Sequence, residues 1–535
     1  MSPDYDIAIV GYGPVGQTAA ILLGRLGYEV GVFERWPSLY PRPRAVHYDD
    51  EVARIFQHLD IVEQLRPITE PATTYEWQNA SGQTLLLLDR AGPGPSGWPA
   101  ASMFSQPQLE QLLDRTAKAV PSVEVHQGWE LCELLDASPH VTLSVRQGDA
   151  KGGRWVPTGE QREVTARYVV GCDGANSLVR ERMGTPLEDL GFAFDWLIAD
   201  TVPRDPGLLA GVNLQRCDPE RPTTLVSGGP GRRRWEWMLL PGETPEQVED
   251  PAFVWSMLAR SGIGEADVTL ERHTVYTFRA RWAERWREGR VLLAGDAAHL
   301  MPPFAGQGMC SGIRDAFTLA WHLDLVLAGQ AEESTLDAYT SERRGHLQYA
   351  IEISVALGQV ICIADPAEAA ARDAALLAAA ADPSTPPLEP PPPSLGPGIH
   401  DGPAAENGAG AAGSLFPQAR VRVGGHERLL EDTIDGGFVL YALDTHPSTL
   451  LDAHTRGYLR TLRSSFVEID ASLDERGIYR DWFSAHDCAV ALVRPDFYVF
   501  GTAVTAEETR ALVRRLKTAL TEPKAKAKRE EMLAT

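Results

Sequence analysis

A β-rich run, Tyr5–Val10, leads straight into Gly11-Tyr-Gly-Pro-Val-Gly16 and then a helix-like stretch, Gln17–Leu26. A second apolar run, Glu29–Phe33, follows and ends in Glu34-Arg35. This strand–turn–helix–strand order is the opening unit of a doubly wound parallel sheet. In it Gly11 permits the tight turn, Gly13 lets a pyrophosphate approach the backbone, and Gly16 lets helix and strand pack closely. Pro14 and Val15 stand where the helix offers free N–H groups and its positive dipole end to phosphates. Glu34, 18 residues past Gly16, falls where a carboxylate can hold ribose hydroxyls. The pattern alone also fits a glycine-rich turn with no ligand and a surface Glu34. Its context points to an adenine dinucleotide but does not separate NAD from FAD.

At 535 residues the chain exceeds one core, and about three units are expected. Gln106–Ala119 places Leu109, Leu112, Leu113 and Ala117 on one face of a helix, and Val123–Val125 and Arg167–Val170 read as later strands. From 185 to 285 short alternating runs such as Thr223–Ser227 and Trp235–Leu240 predict an antiparallel sheet. The nucleotide-domain texture returns at Arg290, so the first domain is discontinuous. The expected division is 1–184 and 286–381 for the two parts of that domain, the second including a helical region. Residues 185–285 form an inserted substrate domain, 382–413 a Pro/Gly-rich linker, 414–522 a small C-terminal α/β domain, and 523–535 a flexible tail.

Composition narrows the function classes. With 50 basic against 73 acidic residues the net charge is −23, which argues against nucleic acid or an anionic membrane as the main partner. The cysteines at 132, 172, 217, 310, 362 and 488 show no metal-ligand spacing, so no metal is expected and reduced thiols in a cytoplasmic protein fit best. Structure begins by Tyr5, which leaves no room for a signal peptide, and no apolar run approaches the ~18–20 residues that span a bilayer.

Two further motifs favour a flavin. Arg290–Asp296 is a buried strand ending in Gly295-Asp296, and the chain runs on through His299 to Pro302-Pro303-Phe-Ala-Gly306-Gln307-Gly308-Met309. Asp296 at the strand end suits a ribityl hydroxyl. Gly306 and Gly308 open a helix whose positive end can face the pyrimidine edge of an isoalloxazine and stabilise its anionic reduced form. The third string, Cys172-Asp173-Gly174-Ala175-Asn176-Ser177-Leu178-Val179-Arg180, combines a strand end, a tight turn and a basic helix start that can touch both the cofactor's pyrophosphate side and an incoming nicotinamide nucleotide.

GYGPVGQ, DGANSLVR and GDAAHLMPPFAGQGMCSGIRDA together resemble the three signatures of group A flavoprotein aromatic hydroxylases. With RPRAVHYDDEVARIFQ and RRWEWMLLPGE, the chain over about residues 4–365 is most similar to the 3-(3-hydroxyphenyl)propanoate hydroxylase branch. The segment after 414, closing on Leu492-Val-Arg-Pro-Asp496, resembles the thioredoxin-like C-terminal domain of phenol hydroxylase relatives but lacks C-x-x-C. The resemblance implies an α/β (α+β overall) architecture: a Rossmann-like FAD-binding domain, an inserted antiparallel-sheet substrate domain and a thioredoxin-like C-terminal domain. It also implies tightly bound FAD, transient NADH or NADPH, and hydroxylation of a small aromatic substrate with O2 through a C4a-hydroperoxyflavin. The substrate class left open is a phenylpropanoate-like acid or a polycyclic natural product; a homodimer is compatible. Carried over position by position, Gly11, Gly13, Pro14, Val15, Gly16, Glu34, Arg35, Arg44, Gln106, Asp173, Asp296, Pro303, Gly306, Gln307, Gly308 and Met309 would bind FAD.

His47, just after Arg44, is the candidate base for the phenol, set against a merely hydrogen-bonded loop histidine. Arg234 is the candidate partner for a substrate carboxylate, set against a solvated arginine. His299 is read as orienting backbone. Trp235-x-Trp237 with Pro241 is one residue out of register with the W-x-W-x-I-P string of flavin halogenases, so both tryptophans are expected to pack in the sheet and line the pocket. The competing classes are a flavin oxidoreductase of another type, such as a halogenase or a tailoring enzyme that inserts no oxygen, and a non-catalytic binding protein.

Overall fold

The computed structural model describes residues 2–40, 44–152, 154–382, 384, 394–402 and 411–522. Most of the expected linker and all of the expected tail lie outside them. The described chain divides into two compact units, one from Met1–Gly94, Trp98–Arg314 and Ala350–Glu389, the other from Pro95–Gly97, Asp315–Tyr349 and Pro390–Thr535.

In the first unit, Tyr5–Val10 lies at the centre of a parallel sheet, between Val30–Glu34 and Arg154–Gly171, with Val123–Gln127 and Val291–Leu293 outside them. Ile7, Ala8, Ile9, Val30, Val32, Val169 and Val170 are fully buried, as strands covered on both faces require. Helix Pro14–Arg25 follows the first strand, with Gly13 as N-cap and proline at its start, where a missing N–H costs nothing.

A second, eight-stranded sheet carries the long antiparallel pair Leu187–Pro203 and Val268–Ala283, then Arg233–Met238, Thr223–Ser227 and Leu214–Cys217. It extends beyond 185–285, because Thr74–Asn79 pairs in parallel with Leu214–Cys217, and Thr84–Asp89 and His299–Leu300 close its ends. Its two faces differ. Trp235 and Trp237 stack at 5.9 Å in a cluster with Leu197, Leu225, Val254 and Leu258. Strand alternation therefore turns Arg234, Glu236 and Met238 to the other face.

In the second unit a four-stranded sheet runs in the order Ser465–Ile469, Val439–Leu443, Val490–Val493, Val499–Ala503, the first pair parallel and the rest antiparallel. With helices Ala453–Thr461, Ile478–Ala485 and Ala506–Thr521 this is the thioredoxin-like topology. Alternation divides its cores: Leu440, Leu492 and Phe500 pack with Leu512 and Leu516 on one side, and Val439, Tyr441 and Val493 with Phe416, Tyr479 and Phe483 on the other. The helical region 286–381 is not wholly with the flavin-domain texture, because Asp315–Tyr349 belongs to this unit. Buried charges hold it there. Arg494 forks onto Glu342 (2.8 and 2.9 Å) and Asp496 (3.0 and 2.7 Å), and the Trp321 indole N–H donates to Asp496 at 2.9 Å. Removing one partner of such a network typically costs about 3–5 kcal/mol. Among the described residues no single helix is long and apolar enough to cross a membrane.

Candidate functional site

The three glycine-bearing motifs interlock. A Cβ on Gly11, whose φ is +99°, would meet the Cys172 carbonyl oxygen at 2.3 Å, so only glycine lets the first motif lie against the second. Cβ atoms on Gly295 or Gly312 would meet Val15 Cγ2 at 2.9 and 2.6 Å, which seats the first motif on the third. Arg180 joins the second to the third by donating to the carbonyls of Ala297 and Ala175, both at 2.8 Å. That guanidinium is a brace between turns.

This frame fits a dinucleotide. A Cβ on Gly16 would meet the Gly11 carbonyl oxygen at 2.2 Å, whereas one on Gly13 would meet nothing within 4 Å, so the turn is tight behind and open in front. Glu34 accepts from the backbone N–H groups of Tyr12 (2.8 Å) and Trp36 (2.9 Å), which aims its carboxylate at the end of the second strand. Burial raises its pKa against those two donors. Arg35 is exposed, its guanidinium 5.6 Å from the Trp36 ring centroid.

Arg44 and Asp296 form an ion pair at 3.4 Å, both half-exposed, so a ribityl-phosphate chain has a cation and a carboxylate within reach of one another. Gln106 is used differently from expectation. Its Oε1 accepts from the N–H groups of Arg44 (2.6 Å) and Ala45 (2.7 Å), and its Nε2 donates to Glu110 at 2.6 Å. Asp173 accepts from Ser177 (2.5 Å) and the Val179 N–H (3.1 Å), so its carboxylate caps its own turn. Gln307 donates to Asp49 (2.9 Å) and accepts from Arg314 (2.9 Å). Gln106 and Asp173 thus shape the site through the backbone they hold, and Gln307 through the side chains of Asp49 and Arg314.

His47 opens the short strand His47–Asp49 and lies against the third motif, its Nδ1 3.4 Å from the Gly306 carbonyl oxygen. Gly306 has φ +67°, and a Cβ there would come within 2.6 Å of Nδ1, so glycine serves both the left-handed turn and the approach of the imidazole. Burial pushes the His47 pKa down, against the pull of Asp49, which keeps the ring neutral at pH 7. With the proton on Nδ1, facing a group that only accepts, Nε2 presents a lone pair, and no group among the described residues meets it. Asp49 is occupied elsewhere: burial raises its carboxyl, but Arg314 at 2.6 Å outweighs this and holds it well below the usual range. Pro303 and Met309 are half-buried around the same loop, and helix Gly308–Leu327 begins beside it. His299 is buried with its ring 5.2 Å from Trp286.

Two expectations are corrected. Arg234 is not a solvent-facing cation awaiting a carboxylate. It is 1% exposed, holds Asp200 through Nε (2.8 Å) and Nη2 (3.2 Å), and donates from Nη1 to the Arg44 carbonyl at 2.7 Å. Trp235 and Trp237 pack as expected but do not line the pocket, because alternation places them on the far face. The residues missed are Glu236 and Tyr75. The signal for Glu236 was in the sequence: a lone acid at every-second-residue spacing in the buried run Arg233–Met238.

The FAD binding domain family profile matches residues 4–354, two-thirds of the chain, and the HcaD C-terminal domain profile matches 413–519. The chain belongs to the FAD-dependent aromatic hydroxylases. This hydroxylase is 38% identical to a "Probable NADH-specific resorcinol 4-hydroxylase" of Rhodococcus jostii (strain RHA1), over 96% of this chain and 94% of that one. It is 35% identical to a 3-(3-hydroxy-phenyl)propionate/3-hydroxycinnamic acid hydroxylase of Mycobacterium sp. (strain JLS), over 94% and 89%. Its fold matches that of the flavin-dependent monooxygenase PieE, solved with FAD and substrate, at TM-score 0.78 and 21% identity over 97% and 99% of the chains. It also matches aklavinone-11 hydroxylase with FAD and aklavinone, at TM-score 0.74 and 23% identity over 96% and 99%.

Proposed function

We propose that this hydroxylase oxidises a small phenol of the resorcinol type, takes its electrons from NADH, and uses His47 to accept the phenol proton. The observation that carries the reading is the neutral, half-buried His47 beside Gly306, with an Nε2 lone pair that no group among the described residues meets. Taking that proton makes the ring electron-rich, and a positioned histidine contributes typically ~10²–10⁴-fold to such a transfer. The NADH-specific resorcinol hydroxylase relative, alike over nearly the whole chain, supports both the donor and the substrate class.

The cofactor assignments rest on the interlocked frame. Gly11, Gly13, Pro14, Val15 and Gly16 would cradle the pyrophosphate, Glu34 and Arg35 the adenosine end, and Arg44 and Asp296 the ribityl chain. Gln106 and Asp173 would hold the backbone around it, and Pro303, Gly306, Gln307, Gly308 and Met309 would frame the ring system. FAD, when bound, supplies the oxygen-activating chemistry; the chain positions the ring, excludes water and moves the phenol proton. Asp296→Ala is expected to purify with little flavin, and yellow protein of normal FAD content would remove Asp296 from this site.

Arg90 favours a second reading, an aryl-alkyl carboxylate of the hydroxyphenylpropanoate type. It is half-buried, has no ion-pair partner among the described residues, and lies within electrostatic reach of Tyr75, Asp49 and His47. Stopped-flow flavin reduction by NADH separates the readings. Acceleration by resorcinol and not by 3-(3-hydroxyphenyl)propanoate supports the first, and the reverse supports the second.

A further inference from the structure

The near face of the eight-stranded sheet is ordered in cross-strand rows. One row holds Val226, Arg234, Asp200 and Arg272; the next Thr224, Glu236, Ile198 and Thr274; the next Met238, Trp196 and Tyr276. Loops of the site cover the outer two. Arg234 is tied to the Arg44 carbonyl at 2.7 Å, and Val226 packs with Val46 on Ala72, Ala101 and Met103. At the other row, Phe304 packs on Trp196 with ring centroids 5.6 Å apart. These two covering segments meet where His47 approaches Gly306. The middle row therefore lies between the two covered rows, on the face turned toward that junction, and Glu236 is its one ionisable side chain.

Glu236 is 8% exposed, yet among the described residues no group hydrogen-bonds its carboxyl. The nearby cations are spent on another acid: Arg234 holds Asp200 at 2.8 Å and Arg272 holds it at 2.6 Å. A buried carboxyl without a partner is costly, and such a group calls for an explanation. A ligand that completes its hydrogen bonding supplies one.

We propose that Glu236 is a specificity-determining residue, which hydrogen-bonds a second hydroxyl of the substrate ring while the first hydroxyl meets His47. The inference rests on the phenol hydroxylation proposed above. It selects dihydroxybenzenes over phenols with an apolar second substituent, because an analogue lacking the hydroxyl leaves the carboxyl unsatisfied. Burial pushes the Glu236 pKa up to about 7 against the pull of Arg234, with Asp200 and Tyr75 the other titratable groups facing it and Arg272 the other cation. Near neutrality its carboxyl both donates and accepts.

The test is the dissociation constants of resorcinol and 3-methylphenol for the FAD-loaded enzyme, read from flavin absorbance, in wild type, Glu236→Leu and Glu236→Gln. Wild type is expected to prefer resorcinol by about tenfold or more. Glu236→Leu is expected to bring the ratio near unity, chiefly by weakening resorcinol. An unchanged ratio in a flavin-replete Leu variant overturns the proposal, as does a wild type that does not discriminate. If the Leu variant does not hold FAD, the Gln variant decides. The wild-type ratio is expected to change between pH 5.5 and 8.5 and the Gln ratio to stay flat; matching profiles overturn the proposal. Failure of the underlying reading looks different: wild type that binds phenols but hydroxylates none of them.

Discussion

Arg234 donates to the carbonyl of Arg44 at 2.7 Å, so the eight-stranded sheet also fixes the loop that carries Arg44 and His47. Its other guanidinium nitrogens hold Asp200, which Arg272 also binds. Asp200 stays ionised because these cations outweigh the penalty of burial. Arg234→Met leaves the loop carbonyl without its donor and Asp200 with one cation. A loss of about 3 kcal/mol in stability and weaker FAD retention are expected. Thermal unfolding and flavin content check this, and Arg234→Lys restores the charge without the fork geometry and recovers only part.

Gly306 is the contact point of the third motif with His47. Gly306→Ala forces a side chain into a left-handed conformation, at about 1 kcal/mol, and into the space of the imidazole. Bound FAD is expected to persist while hydroxylation slows by about 10²-fold, because His47 is displaced. Product formation per NADH consumed measures the difference, and full coupling in the alanine variant would contradict it.

The pH dependence of His47 has a definite sign. Burial lowers its folded pKa below the ordinary 6.5, so the folded chain resists protonation. Its contribution to stability is complete above pH 6.5 and is lost as pH falls from there toward the lower folded value. His47→Ala should flatten that acid limb in denaturant titrations. It should also slow hydroxylation far more than flavin reduction; equal slowing of both would remove the base role.

Glu236 has the opposite sign. Burial raises its carboxyl from the ordinary 4.5 to about 7, with Asp200 adding to the rise and Arg234 and Arg272 pulling against it. Below pH 4.5 it is neutral in both states and carries no penalty. As pH rises to 7 the unfolded chain ionises first and the folded state loses stability. Glu236→Gln should therefore gain on wild type across that window by about 3 kcal/mol and hold the gain above it. Parallel stability curves from pH 4 to 8 would contradict this.

The nucleotide-binding unit was legible because its signals are local. The glycines, the flanking apolar runs and Glu34 lie within one βαβ stretch whose geometry short-range sterics dictate. The face of the second sheet was not, because its chemistry depends on register between distant strands. Arg234 reads as a strand-end cation until pairing sets it opposite Asp200, 34 residues earlier. Trp235 and Trp237 were legible as packed residues, but which side of the sheet they take depends on helices 245–260 covering that side. Tyr75 went unread because Thr74–Asn79 joins the sheet by a parallel pairing to Leu214–Cys217, more than a hundred residues along the chain. Gln106 and Asp173 were found by motif, but their hydrogen bonds go to the backbone they hold.

The central claim is that the chain inserts an oxygen atom from O2 into a phenol whose proton passes to His47. The most direct test is turnover of resorcinol with NADH under ¹⁸O2, with mass analysis of the product. One ¹⁸O atom is expected in the hydroxylated product, with a sharp drop in labelled product per NADH in His47→Ala. NADH consumption that yields hydrogen peroxide and no labelled phenol from wild type, across both resorcinol and hydroxyphenylpropanoate, would contradict it.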